Sequence, residues 1–346
     1  MRYVSVFSGI EAASVAWQPL GWEPVAFSEI EAFPSAVLAT RYPRVPNLGD
    51  ITKIDWSEHD DCRTADLLVG GSPCQSFSIA GSRTGLNGAS GLMWEYVRAV
   101  RELMPAWLVW ENVPGALSSS HGEDFGCLLR ALDGLGYGLA WRVLDAQYSG
   151  VAQRRRRVYL VGSLGDQRAC DVLFEPDCLR WDHPTSREKR QTLARQAQGG
   201  PGGADGGEGC LTPWDTQSRR VYRPDGAWPT LDTRARSGGD GRAVLCATDS
   251  GANAAFAEDL APTLTAHEGK SASYVSGYGS IRRLTPVECE RLQGFKDGWT
   301  DVPYRGKDHA PDSPRYKALG NSMAVPVMAW MGRRIQQAEE AGHDVA

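Results

Sequence analysis

Leu67-Leu68-Val69-Gly70-Gly71-Ser72-Pro73-Cys74-Gln75 is an apolar run of strand type that ends in two glycines and a proline-stiffened loop bearing a thiol. Proline fixes the backbone just ahead of the cysteine, and the carboxyl edge of a parallel sheet is the usual ligand crevice of open α/β folds. A lone cysteine in apolar surroundings is more often inert core filling, so the stretch alone leaves nucleophile and filler both open. Two further runs change the balance. Trp107-Leu108-Val109-Trp110 closes in Glu111-Asn112-Val113, and Gln153-Arg154-Arg155-Arg156-Arg157 leads into Val158-Tyr159-Leu160-Val161. Thiol, carboxylate and guanidinium are therefore expected to converge on one rim.

Outward from this stretch, residues 1–163 alternate short apolar strands with amphipathic helices. Tyr3 to Phe7, Pro24 to Phe27, Ala65 to Val69, Trp107 to Trp110, Trp141 to Leu144 and Val158 to Val161 read as strands; Ala32 to Thr40, Leu92 to Leu103 and Phe125 to Leu135 carry helical spacing. This pattern predicts an α/β, Rossmann-like domain with a mainly parallel sheet covered by helices on both faces. Over 164–280 the pattern dissolves. A Gly-rich linker near 199–209 cannot pack a core, and Asp215-Thr216-Gln217-Ser218-Arg219 echoes Asp232-Thr233-Arg234-Ala235-Arg236, as Pro229-Thr230-Leu231 echoes Pro262-Thr263-Leu264. These read as short β-segments of a smaller, irregular β-rich domain. Regular pattern returns at 281–346: Thr285 as N-cap, Pro286 at the first helical position and Glu288 start a helix that stops at Gly294. Gly320-Asn321-Ser322 is expected to open a last helix, from about Met323 to Gln337, whose apolar first half docks back on the first domain. The smaller domain is then an insertion.

Across the 346 residues the formal charge is −5, which excludes nucleic-acid coating by bulk charge. Local basic clefts remain open, since arginines cluster at 154–157, 219–220, 234 with 236, and 282–283. The eight cysteines form no Cys-x-x-Cys pair and have no nearby histidine, so no metal is expected and the thiols read as reduced. No apolar stretch approaches the roughly 20 residues of a bilayer span, and Met1-Arg2 leads straight into a strand-like segment. The expectation is a cytoplasmic protein.

Phe7-Ser8-Gly9-Ile10 sits at the first strand-to-helix turn, the nucleoside crevice of such sheets. It lacks Gly-x-Gly-x-x-Gly, so a dinucleotide pyrophosphate fits poorly. A nucleoside without phosphates fits better: Glu29 ends the second strand, where a carboxylate can take both ribose hydroxyls, and Asp50, in Gly49-Asp50-Ile51, could accept from an adenine amino group.

The ordered set Phe7-Ser8-Gly9, Glu29, Gly49-Asp50-Ile51, Gly71-Ser72-Pro73-Cys74-Gln75, Glu111-Asn112-Val113, Gln153 to Arg157, Arg283-Leu284-Thr285-Pro286 through Arg291-Leu292-Gln293-Gly294-Phe295, and Gly320-Asn321-Ser322 resembles the cytosine carbon-5 DNA methyltransferases. The first segments are also similar to those of phage and prophage enzymes. The resemblance implies S-adenosyl-L-methionine as methyl donor, held by Phe7, Ser8, Gly9, Ile10, Glu29, Ile30, Asp50, Ile51, Pro73, Asn321 and Ser322. It implies Cys74 as nucleophile on cytosine carbon 6, Glu111 on ring nitrogen 3, and Arg157 with Arg155 secondarily on the carbonyl oxygen. Double-stranded DNA is the implied partner, touched by Gln75, Ser76, Arg234, Arg236, Thr263 and Leu264, with the insertion as target recognition domain and 75–91 as a loop closing on the flipped base. A cognate restriction endonuclease is a further partner class, a solitary enzyme its alternative, and the chain is expected to be a monomer. One departure is that Glu11-Ala12-Ala13 follows Ile10 where the family usually continues with glycines. An RNA cytosine methyltransferase of the same architecture and a non-catalytic nucleic-acid-binding relative stay open as alternatives.

Overall fold

The computed structural model describes residues 1–73, 90–174, 245–248, 257–258, 273–277 and 280–343. The main sheet contains β1 (Arg2–Val6), β2 (Glu23–Ser28), β3 (Leu67–Gly70), β4 (Trp107–Asn112), β5 (Tyr137–Asp145) and β6 (Arg156–Leu164), in the order β2-β1-β3-β4-β6-β5. β2, β1, β3 and β4 are mutually parallel, whereas β6 runs antiparallel to both β4 and β5. The mainly parallel α/β reading holds, and β6 is the exception to it. The cause is the connection: residues 146–155 carry only a single 3-10 turn, Ala146–Tyr148, with no crossover helix to bring the chain back parallel.

The helices are α1 (Ala12–Trp17), α2 (Ala32–Arg41), α3 (Asp60–Arg63), α4 (Ser90–Leu103), α5 (Glu123–Asp133), α6 (Arg168–Leu173), α7 (Pro286–Gln293), α8 (Asp312–Asn321) and α9 (Val325–His343). Successive strand side chains point to opposite faces. Tyr3, Leu67, Val69, Trp107, Val109, Tyr159 and Val161 join one core with α1, α2, α6 and α9. Val4, Val6, Leu68, Leu108, Trp110, Val158 and Leu160 join a second core with α3, α4 and α5. A sheet buried on both faces needs apolar residues at every position of its central strands, which is why these runs do not alternate in the sequence.

The C-terminal segment completes the first of these cores. At the start of α7 the Thr285 hydroxyl accepts from the Glu288 amide while Glu288 accepts from the Thr285 amide at 2.7 Å, the expected helix start. Gly294, with φ of 85°, closes the helix. Gly320-Asn321-Ser322 does not open a helix: it closes α8, with Ser322 as C-cap, and the last helix begins at Val325. No apolar periodicity announces α8. It is held instead by Arg315, which reaches the fully buried Glu290 of α7 at 3.2 Å. α9 does dock on the first helix, where the Trp17 indole N–H donates to the Met328 carbonyl at 2.8 Å.

A second sheet contains β7 (Leu245–Thr248), β8 (Ala257–Glu258), β9 (Ser273–Gly277) and β10 (Ser280–Arg283), in the order β10-β9-β7-β8 with every pairing antiparallel. The linker near 199–209 and the sequence echoes lie outside the described residues. Among the described residues no helix is long and apolar enough to cross a membrane.

A methyl placed on Gly332 would stand 2.4 Å from Trp17 Cδ1. Gly332→Ala should therefore lower stability by about 1–3 kcal/mol, as overpacking does, whereas helix propensity alone would favour alanine. Urea unfolding of the two proteins reads the sign.

Candidate active site

The reversal of β6 builds the site. Asn112, the last residue of β4, pairs in register with Val158 near the start of β6, so a carboxyl end and an amino end lie side by side. Glu111 and Arg157 meet there, with Arg157 Nε 3.1 Å from Glu111 Oε1 and side chains only 14% and 10% exposed respectively. The arginine stretch is extended and alternates: Gln153 and Arg155 are buried, Arg154 and Arg156 exposed. Arg155 bonds the end of α8. Its Nη2 donates to the carbonyls of Gly320 at 3.2 Å and Ser322 at 2.6 Å. Burial, with the neighbouring Arg157 charge second, pulls its pKa down to about 9, which still leaves it charged at neutrality.

β3 brings Gly71 and Ser72 to the same rim. A methyl on Gly71 would lie 3.1 Å from both the Glu111 carbonyl oxygen and Oε2, and 3.4 Å from Met323 Cε. The glycine thus lets three sequence motifs pack against one another. Ser72 is buried and fixed: the Asn112 side-chain amide donates to its carbonyl at 3.0 Å, and the Trp110 indole to its hydroxyl at 3.2 Å. Sequence reading did not single out Asn112 as a brace, although its place after Glu111 was the available signal. Pro73 is half-buried. Cys74, Gln75 and Ser76 lie outside the described residues, as do Arg234, Arg236, Thr263 and Leu264.

The residues expected to hold a nucleoside lie along the turns after β1 and β2. Phe7, Gly9 and Glu11 all take left-handed backbone, with φ of 54°, 57° and 62°, so the turn is tight and two of its non-glycine residues are strained. Ile10 is fully buried, and Phe7 and Ser8 partly so. The Gly9 amide donates to Glu29 Oε2 at 2.8 Å, and the Glu31 amide to Oε1 at 2.7 Å. Burial raises the Glu29 pKa, opposed by these backbone bonds. Beside it Ile30 leaves an apolar side chain 69% exposed. Asp50 caps the next turn, accepting from Thr52, whose hydroxyl and amide hold its carboxyl below the usual range; Ile51 is buried. Asn321 is exposed and Ser322 buried at the end of α8. The donor set suits a nucleoside: a carboxylate on the rim, an exposed aliphatic face next to it, and a second acidic turn.

Two residues that sequence reading passed over hold this edge together. Asn47 Oδ1 accepts from the amides of Glu29 and Gly49 at 2.9 and 3.2 Å, joining the β2 end to the Asp50 turn. Arg98 of α4 donates to the Ile51 carbonyl at 2.6 Å and the Ile54 carbonyl at 3.0 Å. Neither lies in a motif, and an arginine that bonds backbone carbonyls across 47 positions leaves no local pattern.

Glu11 is the departure that the structure explains. Its side chain, 1% exposed, accepts from the Ser5 and Ser14 hydroxyls and from the Ser14 amide at 3.0 Å. It is an internal cap of α1, directed into the core. Burial raises its carboxyl pKa against the serine bonds, so the folded chain binds this proton more readily than the unfolded one. Stability from this source is greatest at low pH, below the unfolded value of about 4.3, and is lost as pH rises through the elevated folded value. The stability difference between Glu11→Gln and the unaltered protein should move in favour of the glutamine as pH rises from about 4 to about 7, read by denaturant titration at each pH.

The model of C-5 cytosine-specific DNA methylases matches residues 1–337. A protein of Escherichia phage P1 described as a DNA N-6-adenine-methyltransferase is 35% identical over 97% of this chain, which spans 61% of that relative's length. Type II methyltransferase M2.BsuMI of Bacillus subtilis is 28% identical over 97% of this chain and 76% of its own. Among solved structures, the S. pombe Dnmt2 methyltransferase superposes with a TM-score of 0.61 at 15% identity, covering 97% of this chain and 99% of that one, which is a likeness of fold. With the matched region running from the first strand through most of α9, the chain belongs to the C-5 cytosine-specific DNA methylase family.

Proposed function

We propose that the protein transfers a methyl group from S-adenosyl-L-methionine to carbon 5 of a cytosine flipped out of duplex DNA, with Cys74 as nucleophile. The observation that carries this reading is the half-enclosed Glu111–Arg157 pair at 3.1 Å packed against Gly71, the start of the cysteine loop. Cys74 follows Pro73 in the sequence, and Gly71, two residues before Pro73, packs against Glu111.

The chemistry needs all three groups. Cytosine carbon 5 is a poor nucleophile until a thiolate adds to carbon 6, which breaks aromaticity and moves electron density onto carbon 5. Glu111 would share a proton with ring nitrogen 3 as that charge develops. Arg157 would donate to the exocyclic carbonyl oxygen and keep Glu111 oriented. Arg155 acts one step back: by tying the Gly320 and Ser322 carbonyls it positions the Asn321-Ser322 turn beside the donor. The donor supplies an electrophilic sulfonium methyl when bound. Glu29 would hold its ribose hydroxyls, Ile30 its adenine face, Asp50 and Ile51 the adenine edge, and Phe7 through Ile10 with Pro73 the remaining wall. Loss of the carbon-5 proton to solvent, its electron pair re-forming the 5,6 double bond, would then expel Cys74 as the thiolate and release the product.

The flipped base costs a few kcal/mol of pairing and stacking, which contacts from Gln75 and Ser76 and from the 164–280 insertion, through Arg234, Arg236, Thr263 and Leu264, would offset. The antiparallel β7–β10 sheet supports a separate β-rich recognition unit there. The phage P1 relative's name points to an adenine amine instead. An exocyclic amine carries its own lone pair and needs no thiol addition, so Cys74 distinguishes the two chemistries.

Methylated duplex DNA, digested to nucleosides and resolved by mass spectrometry, should contain 5-methylcytosine and no N6-methyladenine, and RNA should be a poor acceptor. Cys74→Ala should abolish transfer, and Glu111→Gln should lower kcat by about 10²–10⁴-fold. A 5-fluorocytosine duplex with the donor should become covalently joined to the unaltered protein. An active Cys74→Ala protein would overturn the assignment.

A further inference from the structure

The Trp299 indole reaches across the chain to the turn proposed to hold the methyl donor. Its Nε1–H donates to the Ile10 carbonyl at 2.9 Å. That carbonyl lies outside the α1 ladder, which begins at Glu11, whose carbonyl accepts from Val15 at 3.3 Å. The Ile10 peptide sits between Gly9 and Glu11, both in left-handed backbone, so the turn is held against local preference and an external bond at this oxygen fixes its orientation.

Trp299 is itself rigidly placed. The buried Glu290 carboxylate accepts from the amides on either side of it, Gly298 at 2.7 Å and Thr300 at 2.8 Å. Phe295 stacks on the indole with ring centres 5.7 Å apart. From the other side Arg41 of α2 donates through Nε to the Trp299 carbonyl at 3.0 Å, and its guanidinium stands 5.1 Å over the indole. Three side chains, Glu290, Phe295 and Arg41, thus hold Trp299 and its flanking backbone, and the indole's single polar atom is spent on Ile10.

From this geometry we infer that Trp299 is a positioning residue for the methyl-donor turn: its N–H sets the Ile10 peptide, and through it the wall formed by Phe7 to Ile10. The inference rests on the donor reading of that turn given above. It assigns to the C-terminal segment a contribution to donor affinity that no motif residue supplies.

Trp299→Phe keeps the ring and removes only the N–H. Calorimetric titration of the full-length protein with S-adenosyl-L-methionine, without DNA, should show Kd raised about five- to tenfold, the effect of one lost hydrogen bond that leaves a carbonyl unsatisfied. At saturating donor, kcat should stay within about twofold, a split that loss of folded protein would not produce. Trp107→Phe is the matched control, because it removes an indole bond to Glu339 2.5 Å long at the opposite edge of the sheet; its donor Kd should not move. Arg41→Gln, which removes both the bond to the Trp299 carbonyl and the guanidinium over the indole while keeping the indole N–H, should raise Kd in the same direction and serves if Trp299→Phe does not fold. Unchanged Kd in Trp299→Phe, or equal rises in Trp299→Phe and Trp107→Phe, would overturn the inference while leaving the donor reading intact. Absence of donor binding by the unaltered protein would remove both.

Discussion

Strand β6 runs against its neighbour β4, and the pairing of Glu111 with Arg157 depends on that reversal. Were β6 parallel, its amino end would lie at the far edge of the sheet, about 20 Å away for six residues at roughly 3.3 Å each, and Arg157 would never meet Glu111. The antiparallel register instead places the two side chains within an ion-pair distance and shields them from water. A shielded pair of this kind is worth little by itself, yet removing one partner strands the other charge in a place of low polarity. The pair is therefore better read as orientation than as stability: each group holds the other in direction at the joint of β4 and β6. Gly71 and Asn112 then fasten the end of β3 and Ser72 to the same corner, the first by having no side chain, the second by bonding the backbone of Ser72.

Much of this was legible in the residues. The apolar runs of β3 and β4 are buried at every position, and a chain that must cover both faces of a sheet writes that requirement directly into its sequence. The cap at Thr285, Pro286 and Glu288 was readable because a helix start is a local pattern. What escaped was non-local. The sense of β6 turned on the absence of a crossover helix in 146–155, and α8 turned on Arg315 meeting Glu290 across 25 positions. For the site, the motif residues Glu111 and Arg157 come together as expected, whereas Arg155, in the same motif, donates through Nη2 to the carbonyls of Gly320 and Ser322. Asn47, Arg98 and Trp299 belong to no motif, since each acts on backbone atoms that any residue could supply.

Glu11 shows how a family position can change its job. A carboxylate where glycines are usual would crowd a ligand wall if it faced outward. Here the left-handed backbone at position 11 turns it inward, and Ser5 and Ser14 receive it. The two serines are the compensation, and they lie on the first strand and first helix, one on each side of the turn they stabilise.

The bonds from Trp17 to Met328 and from Trp299 to Ile10 join partners 311 and 289 positions apart. During synthesis at about 5–20 residues per second, the amino-terminal turn and its helix therefore wait on the order of tens of seconds before the chain that covers them leaves the ribosome. Until then Trp17 and its neighbours present bare apolar surface, a period in which a chaperone has something to hold and a nascent chain has not yet acquired its finished first turn.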